Sequence, residues 1–193
     1  MNMNMHFKAR FNTRIAAVIL AATLSAVAAV PAFAQVMVGG APMLATQNII
    51  ENAVNSKDHT TLVAAVKAAG LVETLQGPGP FTVFAPTNAA FAALPAGTVD
   101  SLLKPENKPA LTKVLTYHVV AGKWDAAAIA KMIADGKGMA TIKTVAGGSL
   151  TAKASGKTIM LTDEKGGTAH VTIADVYQSN GVIHVVDKVL LPQ

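Results

Sequence analysis

The spacing of apolar positions divides the chain into two regimes. From Ile49 to Leu115 apolar residues recur at helical intervals. Ile49, Ile50 and Val54 form one stripe; Leu62, Val66 and Ala69 form a second, closed by Gly70 as a C-cap; Leu71, Val72 and Leu75 add one more turn before the breaker Gly77-Pro78-Gly79-Pro80. Thr87 is placed to N-cap a short helix carrying Phe91 and Leu94. Thr98 is placed to cap another that buries Val99, Leu102 and Leu103. Pro105 and Glu106 suit the first turn of a helix running through Leu111, Val114 and Leu115, and Asp125–Ala134 repeats the pattern with Ile129, Met132 and Ile133 inward.

After Gly138 the period becomes two. Thr141–Val145, Leu150–Ala154, Thr158–Thr162, Ala169–Ile173 and Val182–Leu190 read as strands, with Gly147-Gly148, Ser155-Gly156 and Gly166-Gly167 as turns. Phe81–Ala85, stopped by Pro86, is an earlier buried strand, and Tyr117–Val120 reads as extended. Asn180-Gly181 is a turn signal, because both residues tolerate positive φ. The β-branched run after it suits a strand buried on both faces. Helices first and antiparallel strands second give an α+β fold in one domain, residues 46–193, without a βαβ array.

The N-terminus adds a segment that does not belong to this fold. Lys8, Arg10 and Arg14 precede an apolar run from Ile15 to Val30, and Pro31-Ala32-Phe33-Ala34 supplies an Ala-x-Ala cleavage site. Residues 1–34 are therefore expected to be a cleaved secretory signal, and residues 35–45, which lack periodicity, a flexible leader. Cleavage would reduce the charge from +5 to +2 and remove both arginines. The remaining lysines are scattered singly, which argues against nucleic-acid binding. No later run is long enough to span a membrane, and the chain has no cysteine, so neither a disulfide nor a thiol nucleophile is available. The sequence closes on the apolar strand, Pro192 and Gln193, which reads as leaving no room for a C-terminal anchor.

Three separated segments carry a resemblance. Phe81-Thr82-Val83-Phe84-Ala85-Pro86-Thr87-Asn88-Ala89-Ala90-Phe91 resembles the first signature box of fasciclin-like domains, and Asn180–Pro192 resembles the second. Between them Leu115-Thr116-Tyr117-His118-Val119-Val120 is similar to the family's Tyr-His element. The resemblance covers about Thr46 to Pro192. It implies a wedge of twisted, mostly antiparallel strands with helices packed alongside. It also implies a secreted or periplasmic, non-enzymatic module that mediates cell adhesion or contact with a surface or matrix, its partner a protein or a glycan.

The candidate partner-binding residues are Tyr117, His118, Thr87 and Asn88, and each also has a purely structural reading. Tyr117 and His118 suit a buried, hydrogen-bonded core role as well as direct contact; Thr87 and Asn88 suit a strand stop and an N-cap as well as a recognition edge. His184 and Asp187, three apart in a strand, point to opposite faces and form no local dyad. His59, His118, His170 and His184 lack metal-ligand spacing, and Asp163-Glu164-Lys165-Gly166-Gly167 reads as a solvated turn. With no Gly-x-Ser-x-Gly elbow and no phosphate loop, no catalytic residue, metal or cofactor is assigned. The high aliphatic content admits a second reading, a carrier of an apolar pigment or lipid. Oligomerisation would supply the valency that adhesion by one domain lacks.

Overall fold

The computed structural model describes residues 35–193, so the expected signal segment lies outside the described residues. A two-stranded hairpin comes first, β1 (Met37–Val38) and β2 (Ala41–Pro42). This is where a flexible leader was expected. Val38 and Met43 are instead buried in the core, as two isolated anchors that give no periodic signal. The helical layer follows: α1 (Ile49–Asn55), α2 (Thr60–Ala69) and α3 (Val72–Gln76). Asn48 and Glu51 form a reciprocal capping box at the start of α1, and Gly70 closes α2.

Strand β3 (Phe81–Pro86) leads into α4 (Asn88–Ala92), α5 (Thr98–Leu102) and α6 (Lys108–Tyr117). Thr87 caps α4, whereas Gly97, not Thr98, precedes α5. Tyr117 is helical where extended chain was expected. Only at Val119, where pairing with β3 begins, does β4 (Val119–Ala121) start. Then come α7 (Ala126–Asp135) and the strands β5 (Ala140–Lys143), β6 (Ser149–Ser155), β7 (Thr158–Thr162), β8 (Thr168–Gln178) and β9 (Gly181–Val186).

Seven strands form one sheet in the order β4-β3-β9-β8-β7-β6-β5, antiparallel throughout except for β3 beside β9. The sheet curls back on itself, since the Val145 amide after β5 donates to the Val119 carbonyl of β4 at 2.8 Å. This curl creates two cores. Inside it lie Phe84, Tyr117, Val120, Leu150, Leu161, Val186 and Leu190, closed at one end by Ile129 and Ile133 of α7. On the other side of β3 and β9, Val83, Ala85, Ile183 and Val185 meet α1, α2, α3 and α6. Alternate residues of β9 thus enter different cores, which accounts for its unbroken apolar run.

Strand β9 stops at Val186, short of the expected Leu190. Beyond it the Asp187 amide still reaches the His170 carbonyl of β8, but the Leu190 and Leu191 amides are taken by the side chains of His118 and Asp163. Gly181 also differs from expectation: its φ is not positive, but a β-carbon there would collide with the Phe81 carbonyl of the adjacent parallel strand.

Candidate functional site

The Tyr117-His118 element lies where the two cores meet. Tyr117 is the last residue of α6, and its ring is fully buried inside the curled sheet. Its hydroxyl donates to the Ser149 carbonyl at 2.8 Å and accepts the Glu164 amide at 3.2 Å. Gly148 packs against the ring so closely that a β-carbon would lie 2.7 Å from it. Burial raises the Tyr117 pKa above its ordinary value.

His118 completes the junction. Its Nδ1 is 2.8 Å from the Val114 carbonyl, and its Nε2 accepts the Leu190 amide at 3.0 Å. These partners fix the proton on Nδ1 and leave neither nitrogen free. Complete burial lowers the pKa to about 4, with the Val114 carbonyl and Asp163 opposing the shift, so the ring is neutral near pH 7. An imidazole with both nitrogens committed is not available as a base or a ligand. It joins α6 to the segment after β9.

Thr87 and Asn88 are half-buried and also tie elements together. The Thr87 hydroxyl accepts the Ala90 amide at 3.2 Å. Asn88 accepts from the Thr61 amide at 3.0 Å and from the Thr60 hydroxyl, and donates to the Lys57 carbonyl at 2.8 Å, so it caps α2 from a different helix. The structure therefore places the four sequence candidates at two separate junctions, with Tyr117 and His118 away from the surface.

The other motif residues have equally definite places. His184 stacks on Phe84, with ring centroids 5.6 Å apart. Its Nε2 donates to the Trp124 carbonyl at 2.7 Å, its Nδ1 faces the Asp175 amide at 3.4 Å, and burial lowers its pKa. Asp175 has a positive φ of 58° at an irregularity in β8, which aims its carboxylate at the Ala126 amide, 2.7 Å away, at the start of α7. Asp187 pairs with His170, not His184. It accepts the His170 amide at 2.7 Å and lies 3.5 Å from its ring.

Sequence reasoning missed two features. Asp163, expected in a solvated turn, is buried and accepts the amides of Lys165, Gly167 and Leu191. Its pairing with Leu191 pins the C-terminal segment across 28 residues of sequence. His59, weighed in the sequence only for metal-ligand spacing, bonds to Ser56 through Nδ1 at 2.9 Å, while its buried Nε2 has no hydrogen-bond partner among the described residues. The Ala85 carbonyl offers only electrostatic support without hydrogen-bond geometry; burial dominates and lowers the pKa. His59 lines a cavity of about 40 Å³ between the helical layer and β3, walled by Val38, Met43, Leu62, Val83 and Ile183. Among the described residues, no three His, Asp or Glu side chains stand close enough to hold a metal, and no helix is long and apolar enough to cross a membrane.

Comparison with known proteins places the chain. Residues 57–192 match the fasciclin domain. Over 144 residues the chain is 54% identical to Protein sll1483 of Synechocystis, across 75% of this chain and 73% of that protein. It is 35% identical over 159 residues to the cell surface glycolipoprotein MPB83 of Mycobacterium bovis, across 80% of this chain and 64% of that protein. Among solved structures, a FAS1 domain pair from the insect cell adhesion molecule Fasciclin I superposes with a TM-score of 0.54 at 20% identity. That match covers 67% of this chain and 43% of the other.

Proposed function

The chain belongs to the fasciclin domain family, and from that premise we propose that it is a secreted or periplasmic, non-catalytic module that makes contacts at a cell surface or matrix. The observation that carries this reading is the commitment of the motif side chains. Tyr117, His118, His184 and Asp163 each hold two segments together, and none presents an idle acid, base or nucleophile to an opening. The motifs therefore serve the frame, and contact falls to the exposed faces. The names of its relatives, a cell surface glycolipoprotein and a cell adhesion molecule, point the same way. So does the signal-like pattern of residues 1–34.

Two measurements test this. Mass spectrometry of the exported protein should find Gln35 at its N-terminus. Surfaces coated with the purified protein should retain cells or matrix material above the level of a heat-unfolded control. Equal retention by both coatings overturns the reading.

The apolar lining of the cavity favours a second reading, carriage of an apolar small molecule, but its size does not. At about 40 Å³ it has room for a few waters but is far below the roughly 150 Å³ that accepts benzene in an engineered cavity. A pigment or lipid chain would enter only if the residues of the wall moved apart. An absorbance spectrum and a solvent extract of the native protein decide the matter, and a colourless, lipid-free preparation removes this reading.

A further inference from the structure

The outer face of β5–β8 has an order that the linear sequence hides. Pairing aligns Thr141 with Thr151, Thr151 with Thr162, and Thr162 with Thr168, so one threonine from each of four consecutive strands stands in a single row. Their neighbours Ile142, Leu150, Ala152, Leu161 and Ala169 point into the core, which turns the row outward. At about 4.8 Å per strand the row runs roughly 14 Å across the sheet. One step along the strands lies a second row, Lys153, Met160 and His170, and on the other side Lys143 pairs with Ser149.

Lysine dominates the stretch of chain that builds most of this face. Between Gly136 and Thr162 the chain carries Lys137, Lys143, Lys153 and Lys157 and no aspartate or glutamate. Of the carboxylates just beyond this stretch, Asp163 is buried on backbone amides and Asp187 faces His170 at the far edge, while the exposed Glu164 accepts the Ser149 amide beside Lys143. Lysines flanking a row of hydroxyls form a surface complementary to an extended anion that itself carries many hydroxyls.

We propose that the outer face of β5–β8 binds an anionic polysaccharide laid across the strands, with its acidic groups on Lys143 and Lys153 and its ring hydroxyls along the threonine row. This rests on the reading of the protein as a surface-contact module and names the class of partner. A phospholipid surface fits less well, because Met160 is the only large apolar side chain within the two rows and offers little to bury in a bilayer. Nucleic acid fits less well too, since residues 35–193 contain no arginine to fork onto phosphate or guanine.

The test measures binding of the purified protein to heparin, polygalacturonate, neutral dextran and phosphatidylglycerol vesicles at several salt concentrations. Heparin or polygalacturonate should bind, with affinity falling as salt rises, and dextran should not. The double variant Lys143→Glu/Lys153→Glu should bind about tenfold more weakly. Lys67→Glu/Lys108→Glu, with the same charge change on the helical side, should stay within about twofold of the parent. Thr151→Val/Thr162→Val keeps the β-branched shape, so thermal melting confirms its fold while loss of the hydroxyls weakens binding about threefold. The proposal is overturned if neither polyanion binds, if the two lysine pairs weaken binding equally, or if only vesicles bind. Cell retention without polyanion binding overturns this proposal alone. Polyanion binding without retention overturns the broader function and leaves the face as described.

Discussion

The two sides of the β3–β9 pair solve the same problem with different completeness. Inside the curled sheet, the buried histidine His184 is stacked on Phe84 and has a partner at each nitrogen. On the helical side, the buried histidine His59 has a partner at one nitrogen only and borders a cavity. One core is enclosed by the curled sheet, with α7 across one end. The other is closed by short helices and a hairpin anchored by Val38 and Met43. A sheet that curls back on itself leaves its inner side chains few alternative arrangements, whereas helices of five to ten residues can settle with a void between them. The frame of this fold is therefore the curled sheet, and its slack lies under the helices.

Truncation is the strongest way to break this comparison. Leu161→Ala removes a fully buried side chain inside the curled sheet that does not line the cavity, and should cost about 4 kcal/mol in urea unfolding. Leu62→Ala, at the cavity wall, removes a side chain that already lacks neighbours on one side, and should cost about 2 kcal/mol. Equal costs would show that the two cores are packed alike.

Acid should act on the residue that joins the two sides. His118 has a pKa of about 4 in the fold and about 6.5 unfolded. The unfolded chain therefore takes up a proton between pH 6.5 and 4 that the folded chain refuses. The stability His118 contributes is complete above pH 6.5, falls by about 3 kcal/mol as the pH drops to 4, and changes no further below that. His59 and His184 shift in the same direction and steepen the slope. In His118→Gln the slope should flatten although the variant is less stable at pH 7; an unchanged slope would place the titration elsewhere.

Much of this architecture is legible in the chain, because helices and strands announce themselves by local period. Leu62, Val66 and Ala69 face the core as their spacing predicts, and the alternation after Gly138 yields the strands with shifts at their ends. The family resemblance also holds, and residues 57–192 match. What the sequence does not reveal are ties between distant residues. Asn180 reads as a turn residue, yet its side chain accepts the Ile49 amide and donates to the Leu75 carbonyl, 131 and 105 residues away. Asp163 and Leu191, or His118 and Leu190, give no periodic signal because each is a single contact. The threonine row is invisible for the same reason. Its members are 6 to 11 positions apart in sequence and meet only through register.

Asn88 offers a smaller test, because it bridges from the end of β3 to the helical side. Asn88→Ala strips α2 of a cap supplied by another helix and should cost about 1 kcal/mol, measured by thermal unfolding. Thr87→Ala, which removes a cap from the short α4, should cost about the same. If the two losses add fully in the double variant, the caps act independently; a shortfall would show that α2 and α4 are held as one unit.

The smallest effect bears most directly on the slack. His59→Leu alone would leave the Ser56 hydroxyl buried without its partner, so the informative variant is Ser56→Ala/His59→Leu. Removing both members of a buried polar pair avoids an orphaned group and lets an apolar side chain meet the cavity wall. The double variant should therefore lie within about 1 kcal/mol of the parent. The corresponding change inside the sheet, His184→Leu, strands the Trp124 carbonyl and the Asp175 amide together and should cost about 2 kcal/mol. If the His59 pair proved the costlier of the two, its free Nε2 would have to be satisfied in solution, with water in the cavity the simplest partner. The helical side would then be a hydrated core and not a loose one.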